Sequence, residues 1–145
     1  STRAPLIISH PKAKAHGCKT NALVEFVDIY PTLSKLAGLP LPEHLEGTSF
    51  APLLDRPDRP WKTAAFSQYP HGQFDGHSIR TDRYRFTRWT RKNNPKQTGG
   101  LELYDHQFDP GETTNIANAP ENAGTVKRLS KMLDAGWRKA VPVVD

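Results

Sequence analysis

A single cysteine, Cys18, leaves no partner for an intramolecular disulfide and excludes a multi-cysteine zinc site. No apolar run approaches the roughly 18 residues of a membrane-spanning helix. The opening Ser1-Thr2-Arg3 leads into no signal-peptide pattern, so a soluble chain is expected. Other absences narrow the chemistry. There is no glycine-rich phosphate loop, no Gly-x-Ser-x-Gly nucleophile elbow and no His-Glu-x-x-His metalloprotease signature. Internal repeats, low-complexity tracts and Asn-x-Ser/Thr acceptors are missing too. What remains is a chain of 145 residues, 36% hydrophobic and 24% charged, with three Trp, six Phe and four Tyr. That composition excludes disorder and fibrous classes and allows a real core.

The net charge of +5 is uneven. Residues 80–96 carry Arg80, Arg83, Arg85, Arg88, Arg91, Lys92 and Lys96 against Asp82 alone, whereas 97–145 hold five basic and seven acidic groups. One short stretch therefore sets the positive field, read either as a solvated basic strand or as a surface for an anionic partner.

Pro5-Leu6-Ile7-Ile8 and Leu23 to Val27 read as strands, too few for a sheet, so residues 1–38 are expected to be the remnant of a larger α/β domain. Asp28 suits an N-cap, with a helix from about Ile29 to Ala37 whose apolar stripe, Leu33, Leu36 and Ala37, stops at Gly38. Residues 39–62, rich in proline, read as a connector with one helical turn near Phe50 to Leu54. Residues 63–145 read as a second subdomain, with strands at Ala64 to Tyr69, Ser78 to Thr90 and Leu101 to Asp105, the middle one broken near Thr81-Asp82-Arg83. Alternation sends Tyr84 and Phe86 to one face and Arg83, Arg85 and Arg91 to the other. Residues 93–100 read as a loop by composition. A helix from about Pro120 to Lys139 presents Val126, Leu129, Leu133 and Trp137 to the sheet. The expected fold class is α+β, a small antiparallel sheet packed on a C-terminal helix and preceded by a strand-strand-helix remnant.

Candidate chemistry is sparse. His10, His16 and Cys18 fall within nine residues but match no zinc spacing and lack a fourth ligand. His71 and His77 flank a glycine-bounded loop able to present imidazoles. Asp105, Asp109 and Glu112 crowd a turn without satisfying a calcium-loop pattern, and turn formation accounts for them. No complete active site is visible in the residues alone.

Taken in order, several segments resemble the C-terminal part of type I, formylglycine-dependent sulfatases. These are Pro5-Leu6-Ile7-Ile8, Asp28 with Pro31-Thr32-Leu33 and Leu36-Ala37-Gly38, Arg80-Thr81-Asp82-Arg83-Tyr84-Arg85, Glu102-Leu103-Tyr104-Asp105, Asp109-Pro110 and Asn115-Ile116-Ala117. Ser67-Gln68-Tyr69-Pro70, Ser78-Ile79-Arg80-Thr81 and Trp89 are similar to the iduronate-2-sulfatase branch. The resemblance implies an alkaline-phosphatase-like parent, hydrolysing sulfate esters of glycosaminoglycan or related polysaccharide. It implies a formylglycine made in a Cys/Ser-x-Pro-x-Arg motif, and calcium held by paired aspartates. Cys18, in Gly17-Cys18-Lys19-Thr20-Asn21, is not in that motif, and the aspartate pairs are missing. The chain is thus expected to be a C-terminal fragment that holds no metal, supplies pocket wall and specificity, and is inactive alone.

The resemblance also implies a secreted, periplasmic or lysosomal parent. The expected partners are the parent's catalytic part and a sulfated carbohydrate, with a homodimer through the unpaired first strand as a further expectation; neither a membrane nor, in the first reading, nucleic acid is expected. Substrate contact falls to His77, Arg80 and Trp89: arginine binds anionic oxygens bidentately and an indole stacks on a sugar face. The alternative for Arg80 is an ion pair with Asp82 or Glu102, and for Trp89 core packing. A second hypothesis is an independent polyanion-binding module, because arginines interleave with Tyr84, Phe86 and Trp89.

Overall fold

The computed structural model describes residues 4–142. The chain separates into two compact units, one formed by the residues up to Lys62 together with Val141 and Pro142, and one running from Thr63 to Ala140.

In the first unit a 3-10 turn at Phe26–Asp28 leads into α1, Ile29–Leu36, and a second 3-10 turn follows at Ala51–Leu54. Pro5–Ile8 and Leu23–Val27, expected as strands, form no ladder among the described residues. A strand needs a hydrogen-bonded neighbour, and this unit supplies none; Ile7 is 90% exposed. Asp28 departs from its expected role as well. Its side chain makes no cap bond to α1. It lies fully buried, accepting hydrogen bonds from the backbone N–H of Thr48 at 2.7 Å and of Glu25 at 2.9 Å and from the Lys62 ammonium at 2.8 Å. Lys62 also reaches Glu25 at 2.6 Å. The Thr32 hydroxyl donates to the Asp28 carbonyl (2.6 Å) and accepts from the Phe50 N–H (2.9 Å), tying α1 to the second turn. The buried side of α1 is therefore Pro31, Thr32 and Ser34, and the stripe read from the sequence faces outward at Leu33. Gly38, at φ 71°, ends the helix as expected, because a left-handed residue there lets the Gly38 and Leu39 amides reach the last carbonyls.

The second unit is an antiparallel meander of β1 (Ala65–His71), β2 (Phe74–Arg80), β3 (Tyr84–Arg91) and β4 (Asn94–Asp105), in that spatial order. The β2–β3 connection is fixed by Thr81, whose N–H donates to the Tyr84 carbonyl (2.8 Å) and whose hydroxyl accepts from the Tyr84 N–H (2.9 Å). Phe66, Ile79, Phe86 and Leu103 stand opposite one another across the four strands. Against that row packs α2, Ala123–Ala135, with Leu129 fully buried and Val126, Met132 and Leu133 beside it. Each such buried side chain contributes about 1.5–3 kcal/mol of apolar transfer. Asn115 holds the return segment on β4: its Oδ1 accepts from the Leu103 N–H and its Nδ2 donates to the Leu101 carbonyl, both at 3.0 Å.

The sheet packed on a C-terminal helix is thus as expected, with three differences. Trp137 lies beyond Gly136 in a separate 3-10 turn, so α2 ends before it and the stripe stops at Leu133. The expected loops at 72–76 and 93–100 are mostly strand, joined through two-residue turns at Gly72-Gln73 and Lys92-Asn93. Arg83 sits in the turn before β3, not on the strand's basic side; its side chain pairs with Asp105 at 2.6 Å.

Candidate functional site on the sheet face opposite the helix

Direct cross-strand partners share a face, so the register sorts the candidate residues without ambiguity. Gln68, His77, Arg88 and Leu101 form a row on the helix side, and Arg88 reaches Asp134 of α2 at 2.7 Å. Arg80 with Arg85 and Tyr104, and Trp89 with Tyr69, Gly76 and Gly100, form rows on the opposite face. Arg80 and Trp89 share a face; His77 lies on the other.

The centre of the opposite face is a closed polar network. Arg85 binds Glu112 through two nitrogens, Nε to Oε1 at 2.8 Å and Nη2 to Oε2 at 2.7 Å, and its guanidinium lies 4.7 Å from the Tyr104 ring centroid. Glu112 also meets His106 Nε2 at 2.6 Å. Burial works to raise the Glu112 pKa, but hydrogen bonds from Arg85 and His106 prevail and hold it below the usual carboxylate range. The Trp89 indole N–H donates to Glu102 Oε1 at 2.8 Å, and the Ser78 and Thr87 hydroxyls share a 2.7 Å hydrogen bond. Arg80 directs its guanidinium to the carbonyls of Thr81 and Tyr84. Neighbouring Tyr104 is pushed up, by burial first and by Glu102 second.

Beyond this network, toward the two hairpin tips, the face turns aromatic. Tyr69 stacks on His71 with centroids 6.4 Å apart, and His71 meets the Trp89 ring edge-on at 6.3 Å. The indole lies across Gly76, where an added Cβ would come within 2.8 Å of the ring. Gly99 makes the same room for Phe74, over which Arg91 is placed at 5.9 Å. Lys92 ties the tips together, its N–H donating to the Gln73 carbonyl at 3.0 Å and its ammonium to the Gly72 carbonyl at 2.9 Å. Tyr69 is 64% exposed, which leaves an open aromatic surface edged by cations. Reading from sequence missed Tyr69 and Phe74, although a glycine inside a strand is a signal that a ring approaches closely.

Three arginines of the basic stretch are paired with acidic residues further along the chain. Arg83 pairs with Asp105, Arg85 with Glu112 and Arg88 with Asp134. The hydrogen bond from Arg83 holds Asp105 below the carboxylate range against the effect of burial. Asp109 accepts from the backbone N–H groups of Thr113 (2.7 Å) and Thr114 (2.9 Å), which lower its pKa and give it the expected turn role. Cys18 is exposed, its thiol directed at the His16 carbonyl. Among the described residues no three His, Cys, Asp or Glu side chains gather as a metal site. The donor set that calcium needs is therefore not found in them.

This architecture matches that of sulfatases. The chain belongs to the N-sulphoglucosamine sulphohydrolase C-terminal family, whose pattern matches residues 1–139. It is 30% identical over 140 residues to an N-acetylglucosamine-6-O-sulfatase of Bacteroides thetaiotaomicron, covering 91% of this chain and 24% of that protein. A Delta 4,5-hexuronate-2-O-sulfatase of the same organism is also 30% identical over 140 residues, covering 92% of this chain and 28% of that protein. A solved structure in complex with its substrate D-glucosamine-2-N,6-O-disulfate superposes with a TM-score of 0.76 at 28% identity, over 89% of this chain and 27% of that one. The chain thus spans about a quarter of the length of these relatives.

Proposed function

We propose that this chain is the C-terminal part of a sulfatase that hydrolyses sulfate esters of glycosaminoglycan-type sugars, of the iduronate-2-sulfatase kind. The nucleophile and the calcium ligands belong to the remainder of that protein. The observation that carries the reading is the distribution of exposed apolar residues within a family member spanning a quarter of its relatives. Ile7 (90%), Phe26 (76%), Val27 (58%), Leu33 (55%) and Leu39 (60%) all stand open in the first unit. Such a concentration is unusual for a free surface and suits the face on which a catalytic part of the same protein packs. The N-terminal unit then anchors, and the sheet forms pocket wall.

Within that wall the aromatic surface of Trp89, Tyr69 and His71 supports sugar contact, with Arg91 beside it for a sulfate or carboxylate. Arg80, whose guanidinium reaches the carbonyls of Thr81 and Tyr84, shapes the β2–β3 turn, and His77 faces the helix side. The substrates that name these relatives, a 2-O-sulfated hexuronate and 6-O-sulfated glucosamines, favour a sulfated uronate or hexosamine. The polyanion-module reading is disfavoured, because Arg83, Arg85 and Arg88 are each matched by a carboxylate.

The test is made in the full-length protein. Trp89→Ala is expected to lower kcat/KM on a 2-O-sulfated uronate disaccharide about tenfold or more while sparing a small aryl sulfate. Equal losses on both would remove Trp89 from substrate contact. Failure of the wild type to release sulfate from any sulfated sugar would overturn the reading itself.

A further inference from the structure

The cations of the first unit present a different picture from the paired arginines of the sheet. A cavity of about 430 Å³ is bordered by Lys12, Lys35, Arg56, Arg59 and His10, with Asp55 as its one carboxylate. Leu36, Pro52 and Leu54 supply its apolar part. Its walls are tied by hydrogen bonds: Ala15 N–H donates to the Leu54 carbonyl at 3.0 Å and Lys14 N–H to Asp55 Oδ1 at 3.1 Å. Asp55 is thus already engaged by backbone. Among the described residues no carboxylate lies within ion-pair distance of Lys12, Lys35, Arg56 or Arg59, and the buried Arg59 Nε–H has no acceptor.

We propose that this cavity is an oxyanion site whose ligand is a sulfate group, free or carried on a saccharide. Four permanent cations facing one engaged carboxylate attract an anion, the guanidinium of Arg59 offers directional donors, and the volume lies within the range of small-ligand sites. It shares no residue with the aromatic surface of the sheet. The choice of sulfate over other oxyanions rests on the proposed function, whereas the charge arrangement does not.

The experiment titrates the ¹⁵N-labelled chain at constant ionic strength with sodium sulfate, sodium phosphate, glucosamine-6-sulfate and unsulfated glucosamine, following the amides of Ala13, Lys14, Ala15 and Arg59. Saturable shifts are expected with sulfate and with the sulfated sugar and not with glucosamine. Lys12→Gln and Arg56→Gln are each expected to weaken binding roughly tenfold, because each removes one charge-assisted contact. Both side chains are exposed, so the fold should stand, and Lys35→Gln provides a third, independent variant. Tighter binding of the sulfated sugar than of the free ion assigns the ligand to a saccharide; equal affinity assigns it to the ion. No saturable shift with either sulfate ligand, binding of phosphate alone, or affinities unchanged in all three variants would overturn the proposal. Sulfate release by the full-length protein is read separately, so failure here leaves the sulfatase reading open to its own test.

Discussion

The two units solve the problem of cohesion in opposite ways. The second buries an apolar row, Phe66, Ile79, Phe86 and Leu103, under Leu129 and keeps its charges near the surface in pairs. The first buries charge instead: Asp28 and Lys62 are almost wholly enclosed, while large apolar side chains stand outside. Apolar burial is nondirectional and tolerant, whereas a buried ion pair depends on every partner being present. A unit built the second way is specific in geometry but weak in driving force, which suits a segment completed by the rest of a larger protein.

Mutation can break that contrast directly. Lys62→Met should have the largest effect, about 3–5 kcal/mol lost from the first unit, because Asp28 is left buried without its cation. Hydrogen exchange at the α1 amides would register it, and a loss below 1 kcal/mol would show that the triad is not what holds the unit. Leu129→Ala should cost the second unit about 2–5 kcal/mol through the cavity it opens, read in the exchange of β2 and β3 amides. The acid sensitivity of the sheet sharpens the contrast further. The folded-state pKa of Glu112 is depressed, so its contribution is fully present above the unfolded value of about 4 and is lost as pH falls through the folded value. Glu112→Gln should therefore narrow the stability gap between neutral and acid pH; denaturation midpoints at several pH values that shift in parallel for wild type and variant would contradict it. The smallest effect is expected of Ile7→Ser, within about 0.5 kcal/mol on this chain by denaturant melting, since the side chain has almost no cover to lose. In the full-length protein the same change should be clearly destabilising if Ile7 packs there.

Much of the second unit was legible because its signals are local. The Val126, Leu129, Leu133 spacing announced α2, and alternation along β3 correctly separated Phe86 from Arg85. The strand ends at 74–77 and 94–100 were obscured by glycine, asparagine and proline, which read as loop when taken singly. In the structure Gly76 and Gly99 leave room for the Trp89 and Phe74 rings, a reason visible only once strands are paired. Asp28 was misread as a cap because its cation lies 34 residues away, and the nearer helix start explained it cheaply. The carboxylate partners of Arg85 and Arg88 lie 27 and 46 residues along the chain, so the charge stretch looked freer than it is.

The meander has a kinetic consequence. Every strand pairs with its neighbour in sequence, so the three hairpins close through short turns, events that take on the order of microseconds. The helix is different: Arg88 and Asp134, which join β3 to α2, are 46 residues apart, and that loop must close before the apolar row gains its cover. The slow step of forming this unit is therefore expected to be the docking of α2. Substitutions in the β2–β3 hairpin should then retard folding, whereas those on the buried stripe of α2 should mainly hasten unfolding.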